Sequence, residues 1–272
     1  MTRYVLALLV LLSFAPVFSA AGAGDSAGSD PLRVLIFTGK HNHEWEKTTP
    51  ALKKIYEESG RFVVDVTTDA STCEAGTFAK YDVVVSNWTN WPSEEREWGP
   101  ATEKAFLDFV RNGKGFALFH AGGSTFYDWP EFHQLIGATW GKTDTGAAWG
   151  KGATGHGRIH KFKVTVTDKN HPVTSGIEDF WITDELWHNM AIQPTMHVLA
   201  TAFSAKNTGG SDKDEPVVLW TEFGKGRCFN LVLGHNVAAM KTPGWKMLML
   251  RGTEWAATGK VTIETVSDKV GD

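Results

Sequence analysis

Cysteine is nearly absent: the 272 residues hold only Cys73 and Cys228. No C-x-x-C pair and no H-E-x-x-H run occurs, so zinc sites with those two spacings are excluded. Cys73 and Cys228 either pair, as an exported protein allows, or stand as separate thiols. Blocks of like charge are also missing. Lys and Arg number 27 against 31 Asp and Glu, a net charge of −4 spread along the chain. That pattern argues against a nucleic-acid or membrane-surface partner. Internal repeats and low-complexity tracts are lacking. The longest apolar run, "YVLALLVLLSFAPVF", covers residues 4–18 and contains Pro16. It falls short of the ~20 apolar residues that a membrane span needs. No cysteine follows it, which disfavours a lipoprotein anchor.

What is present at the N-terminus has a different logic. Arg3 precedes the apolar run, and Ala21-Gly22-Ala23 follows it as a cleavage-like site. Residues 1–23 therefore read as a signal peptide, which implies a secreted or periplasmic protein. "GDSAGSDP", residues 24–31, reads as a flexible lead-in. Residues 32–260 form the expected domain, and 261–272 a polar tail. A hydrophobic content of 42% is enough for a sizeable core, and single α/β domains reach ~250 residues.

"RVLIFT" (Arg33–Thr38) has the form of a buried parallel strand ending at Gly39. Helical spacing then runs over Trp45–Ser59 and stops at Gly60. "RFVVDVTT" and "YDVVVSN" are the next strands, Glu103–Arg111 a helix closed by Asn112-Gly113, and "GFALF" a fourth strand. The alternation predicts an α/β fold with helices on both faces of a parallel sheet. Gly141–Arg158 is aperiodic, rich in Gly and Thr, and too long for an ordinary connector. "KFKVTVTD" and "HVLATAF" alternate like strands. "PVVLWTEF" and "RCFNLVLG" flank "GKG", a hairpin signal, and Trp245–Ala256 reads as the closing helix.

Ligand sites of open α/β sheets lie outside the carboxyl ends of the strands. Four polar clusters fall there: His41, His43 and Glu44; Asn87 to Trp91, including Trp88; His120 with Gly122 and Gly123; and Gly234-His235-Asn236. A lone histidine at a strand end is usually structural. Three histidine-bearing clusters at one edge point to a shared cleft. A G-x-S-x-G elbow would need glycine where Leu118 stands, and its apex here is His120, so Ser- or Cys-based acyl transfer is disfavoured. Histidine at the apex can act as general base, proton donor or metal ligand. "ITDELWHNM" adds Asp184, Glu185 and His188. Glu185 and His188 meet on one face only if that segment is helical. A carboxylate with several imidazoles suits zinc or another first-row divalent ion, with His43, His120, Glu185, His188 and His235 as the candidate ligands. The bland alternative is a polar loop packed by Trp181 and Trp187. Tryptophan is plentiful at 12 copies. Trp88, Trp91, Trp98, Trp129, Trp140 and Trp149 fall in or beside expected loops, where they either stack on sugar rings or plug the core.

"RVLIFTGKHNHE", "GKGFALFHAGG", "NHPVTSGIEDFWITDELW", "EPVVLWTEFGKGRCFNLVLGH" and "LRGTEWAATG" together resemble the ThuA-like (trehalose-utilisation) family, in order and over nearly the whole mature chain. The resemblance implies a flavodoxin-like three-layer sandwich with a mainly parallel sheet, like class I glutamine amidotransferases but without their cysteine nucleophile. It implies use of trehalose-type disaccharides after oxidation to 3-keto sugars, with His120, Glu185 and His235 lining the site. The family's D-E-[LI]-Y reads Asp184-Glu185-Leu186-Trp187 here, so its phenol is missing. The expected function is an exported protein acting on a small carbohydrate. His120 or His235 would abstract a proton beside a sugar carbonyl, while Glu185, His188 or a divalent metal such as zinc stabilises the enediolate. His120, Glu185 and His235 are thus the expected catalytic residues. His41, His43, Asn87, Trp88, Trp187, His188 and Asn236 are expected to hold the substrate. Isomerisation, elimination and hydrolysis stay open, as does a homo-oligomer. The alternative reading is a non-catalytic carbohydrate-binding module.

Overall fold

The apolar runs of the first half send alternate side chains to opposite faces, as the two-residue period of a strand requires. In β1 (Leu32–Phe37), Val34 and Ile36 enter one buried cluster, and Leu35 and Phe37 enter another. β4 (Gly115–Phe119) divides in the same way, with Ala117 and Phe119 on one face and Phe116 and Leu118 on the other. This computed structural model describes residues 30–40, 42–93, 95–141 and 154–265. The residues read as a signal peptide, together with His41 and Trp149, lie outside that range.

Chain order continues through α1 (Trp45–Glu58), β2 (Phe62–Thr67), α2 (Ala75–Phe78), β3 (Val83–Ser86), α3 (Pro100–Arg111) and α4 (Pro130–Ile136). Next come β5 (Ala138–Thr139), β6 (Gly155–His156), β7 (His160–Val166), β8 (Phe180–Asp184), β9 (Trp187–His188), β10 (Ala191–Ile192) and β11 (His197–Ser204). β12 (Lys213–Phe223), β13 (Gly226–Leu231), α5 (Val237–Met240) and α6 (Pro243–Thr258) complete the series. Among the described residues the main sheet has nine strands in the order β2-β1-β3-β4-β13-β12-β11-β7-β8. The run from β2 to β13 is parallel. Strands β12, β11, β7 and β8 are added antiparallel. α1, α5 and α6 cover one face; α2, α3 and α4 cover the other. This is the flavodoxin-like three-layer α/β sandwich, mixed at its far side because "GKG" turns β12 straight back into β13.

Proline and glycine set the helix limits. Pro100 and Pro243 open α3 and α6 where their missing N–H groups matter least. Gly259 closes α6 in the left-handed conformation. Cys73 and Cys228 are free, buried thiols in the same apolar cluster. The structure defines two further segments. "FWITD" is a strand, β8, because Ile182 and Asp184 are buried and Trp181 and Thr183 exposed, a two-residue alternation. The start of the polar tail docks on the domain: Thr262 and Ile263 donate backbone N–H groups to Glu254 at 2.8 and 3.1 Å.

Glu254 is fully buried, and it also accepts from Arg61 at 2.8 Å and from the Thr262 hydroxyl at 2.6 Å. Burial pushes its carboxyl up, but the bonds from Thr262 and Arg61 outweigh burial and hold it below the usual range. A depressed folded-state pKa gives stability that is complete above the unfolded value near ~4.3 and is lost as pH falls through the folded value. Glu254→Ala removes the buried carboxylate that accepts from Arg61 and from three donors of the tail, and should cost about 3–5 kcal/mol in urea unfolding at pH 7. The gap between Glu254→Gln and the parent should narrow as pH falls below ~4; a gap that stays constant would contradict this account.

Candidate functional site

The order β2-β1-β3 reverses direction at the β1/β3 boundary, where open α/β sheets form their ligand crevice. β1, β3, β4 and β13 all end at that edge. Successive antiparallel pairings return β8 to the direction of β13, so Asp184 and Glu185 arrive at the same edge.

His120 leaves β4 at φ +34°, a left-handed conformation that costs a non-glycine residue about 1–3 kcal/mol. It begins a 3-10 turn, His120–Ser124. Its Nδ1–H donates to the Val232 carbonyl at 2.9 Å. In the neutral ring the lone pair then sits on Nε2. That atom faces Glu185 Oε2 and His235 Nδ1, each at 3.2 Å. Glu185 Oε2 also lies 3.3 Å from His235 Nδ1 and accepts the Trp187 indole N–H at 3.0 Å. A lone pair aimed at a carboxylate repels it unless a cation, proton or metal, lies between. The His43 ring packs edge-on against those of His120 and His235, with centroids 4.8 and 4.7 Å away.

One donor atom each from His43, His120, Glu185 and His235 lies within 4.8 Å of all the others. Donors about 2.1 Å from one ion stand roughly 3–4 Å apart, so small side-chain adjustments complete a site. Three imidazoles and a carboxylate suit a divalent first-row ion. The His120–Val232 bond is the outer contact that holds such a ligand in its tautomer. The residues fit a metal.

Electrostatics reinforce the cluster. Burial raises the Glu185 carboxyl, but hydrogen bonds from His120, when a proton sits on its Nε2, and from His235 prevail and hold it well below the carboxylate range. The bond to Glu185 raises His235 against the opposing effect of its burial. Asp184 is fully buried, and desolvation pushes it up. Its oxygens accept the backbone N–H groups of Gly234 (2.6 Å), His235 (3.1 Å) and Glu185 (2.9 Å). Only glycine suits position 234: φ is +114°, and a Cβ would lie 2.7 Å from Trp245 Nε1. Trp187, at the position where the resembling D-E-[LI]-Y motif has tyrosine, is buried and uses its indole N–H to donate to Glu185.

A cavity of about 320 Å³ opens over the cluster, lined by Trp91, Trp140, Trp187, His156 and Asn236 together with His43, Glu185 and His235. His120 is only 2% exposed and does not line the cavity. Other expected binders are elsewhere. Asn87 is buried and donates to the hydroxyls of Thr48 and Thr49 at 3.0 and 2.8 Å, tying β3 to α1. Trp88, Trp98 and Trp129 are core plugs in an aromatic cluster with Phe126. His188 lies on β9, in register with Gly155 of β6, and is not one of the four clustered donors. Desolvation lowers its pKa there. His156 escaped the sequence reading. Its Nδ1 lies 3.0 Å from Glu185 Oε1, and the only signal was its place in the aperiodic Gly-rich segment.

The sequence matches the family model for trehalose utilisation, ThuA, over residues 33–256. The chain belongs to this family. A solved structure described as ThuA-like, from Parabacteroides merdae ATCC 43184, is 32% identical, with 88% of this chain and 94% of that one covered at a TM-score of 0.79. A second ThuA-like structure, from Bacteroides uniformis ATCC 8492, is 22% identical, with 85% and 94% covered at 0.64. A GMP synthase protein from Thermoplasma acidophilum, 10% identical, with 84% and 95% covered at 0.50, shares the amidotransferase-like fold. No curated protein matches the chain.

The geometry of this ThuA-family site makes a direct prediction. Purified protein should bind Zn²⁺ in calorimetry. Glu185→Gln and His235→Ala should each weaken binding by more than the ~10–100-fold typical of losing an outer-shell contact. His188→Ala should leave affinity unchanged; an equal loss there would mean that the metal sits elsewhere.

Proposed function

We propose that the protein is a carbohydrate-active enzyme that moves a proton next to a sugar carbonyl, beside a divalent ion held by His43, His120, Glu185 and His235. The observation that carries this reading is the four-donor cluster under a tryptophan-lined cavity, with a further imidazole, His156, on the cavity wall. Membership of the trehalose-utilisation family supports the carbohydrate. The basic, apolar and small-residue order of residues 1–23 supports export.

Trp91 and Trp140 offer ring faces on which the apolar side of a sugar can rest. His120 and His235 direct Nε2 and Nδ1 to Glu185, which suits them to holding the ion. The proton falls to His156. Its Nδ1 lies 2.7 Å from the Gly157 carbonyl, to which it donates, so Nε2 keeps the lone pair of a base. The proton of the carbon beside the carbonyl moves to Nε2. The C–H electron pair becomes the carbon–carbon double bond, and the carbonyl pair moves onto oxygen. Glu185 Oε1, 3.0 Å from Nδ1, stabilises the imidazolium that forms. A bound divalent ion supplies charge stabilisation for the oxyanion. Return of the proton from His156 to the former carbonyl carbon, with the neighbouring hydroxyl proton passing to the oxyanion as that carbon becomes the carbonyl, isomerises the sugar. Collapse of the oxyanion with departure of a glycosidic oxygen one carbon further on, which takes the proton from His156, is elimination.

Turnover of 3-keto-trehalose tests the assignment. His156→Gln should lower the rate by ~10²–10⁴-fold, the usual worth of general acid–base catalysis, with metal content intact. His120→Ala should lose rate and metal together. A His156→Gln variant at full rate sinks the base assignment. A parent that binds sugars yet turns none over is a carbohydrate-binding module.

A further inference from the structure

β8 is the outermost strand of the main sheet, and its alternation directs Trp181 and Thr183 outward. Trp181 is 58% exposed, an unusual position for so large an apolar ring. It does not stand alone. Ile159, also exposed, joins it in lining a second cavity of about 300 Å³, with Lys161, Thr183 and Asn236. The Lys161 ammonium lies 5.5 Å from the Trp181 ring centroid, which braces the indole and keeps its cation at the rim.

Asn236 belongs to both cavities. Its Oδ1 caps α5 by accepting the Ala239 N–H at 3.0 Å. The cap fixes the orientation of the amide and leaves the NH₂ group as a donor at the boundary between the cavities. The first cavity, near the lower end of the range for small-molecule sites, suits one sugar ring. A disaccharide needs a second place, and the adjoining cavity has the matching chemistry. Its features are an exposed indole face for the C–H side of a ring, and hydroxyl, amide and ammonium groups for its oxygens.

We infer that the Trp181 cavity is a second sugar subsite, which holds the non-reacting ring of a disaccharide whose reacting ring lies over the histidine cluster; the assignment rests on the carbohydrate reading of the first cavity. Asn236 then sits beside the bridging oxygen. The subsite makes the protein selective for disaccharides over monosaccharides. The alternative occupant of an outer strand is a second copy of this chain. Lys161, opposite Thr183 on β7, puts an ammonium on the same face, and burying that face against a second copy would desolvate it.

Calorimetry of the full chain with glucose, trehalose and their 3-keto forms, on the parent, Trp181→Ala and Trp181→Phe, decides the matter. The exposed position makes both variants tolerable to the fold. The parent should bind the disaccharides more tightly than the monosaccharides. Trp181→Ala should weaken disaccharide binding ~3–10-fold, the worth of a lost aromatic contact, and leave monosaccharide binding unchanged. Trp181→Phe should restore most of the difference. Equal effects on both sugar sizes, or none, overturn the subsite while the carbohydrate reading stands. A parent that binds none of the four sugars overturns both. A parent dimer in sedimentation that Trp181→Ala dissociates identifies the face as a contact between copies and also overturns the subsite.

Discussion

The site depends on one buried carboxylate that never meets the cavity. Asp184 ends β8, yet its two oxygens hold the backbone just beyond β13, at Gly234 and His235, and the N–H of its own neighbour Glu185. These strands stand far apart in the sheet, separated by β12, β11 and β7. This link sets the backbone of Glu185 beside that of His235. Burial makes the arrangement all-or-none. A desolvated carboxyl that lost one of its donors would be poorly satisfied, so the three bonds stand or fall as a unit.

A second constraint acts from β4. Backbone strain at His120 is tolerated because the ring is tied to the Val232 carbonyl, and Val232 follows β13, the parallel neighbour of β4. One hydrogen bond therefore does two jobs: it holds a left-handed residue in place and selects the nitrogen that faces the cluster. Trp187 closes the arrangement from β9. Its ring lies 4.7 Å from that of His120 and its indole N–H binds Glu185. Gly123 permits that approach, since a Cβ there would come within 3.1 Å of the indole.

Much of the parallel half was legible because its strands are short apolar runs punctuated by glycine, and its helices carry clear faces. Leu52 and Tyr56 of α1, like Phe106 and Val110 of α3, are buried as their spacing requires. β8 was harder. Phe180 and Trp181 hide the alternation, since an aromatic side chain reads as buried whether it lies inside or out. The condition for Glu185 and His188 to share a face, a helix, is not met, because β8 ends at Asp184 and β9 begins at Trp187.

The sequence by itself determined the alternation of strands and helices, the histidines placed after β1, β4 and β13, and the presence of an imidazole rather than a thiol or hydroxyl at the apex of the turn after β4. Those follow from local periodicity and chain order. Only the tertiary structure decided which polar residues meet. Asn87 and His43 both follow parallel strands, yet one ties down α1 and the other faces two imidazoles. Trp88 and Trp91 lie three residues apart, yet one plugs the core and the other lines the cavity. His156 reaches Glu185 because β6 pairs with β9, a contact between short strands with no sequence period to announce it. Side-chain direction beyond a strand end is set by what packs around it, and that packing comes from segments distant in the chain.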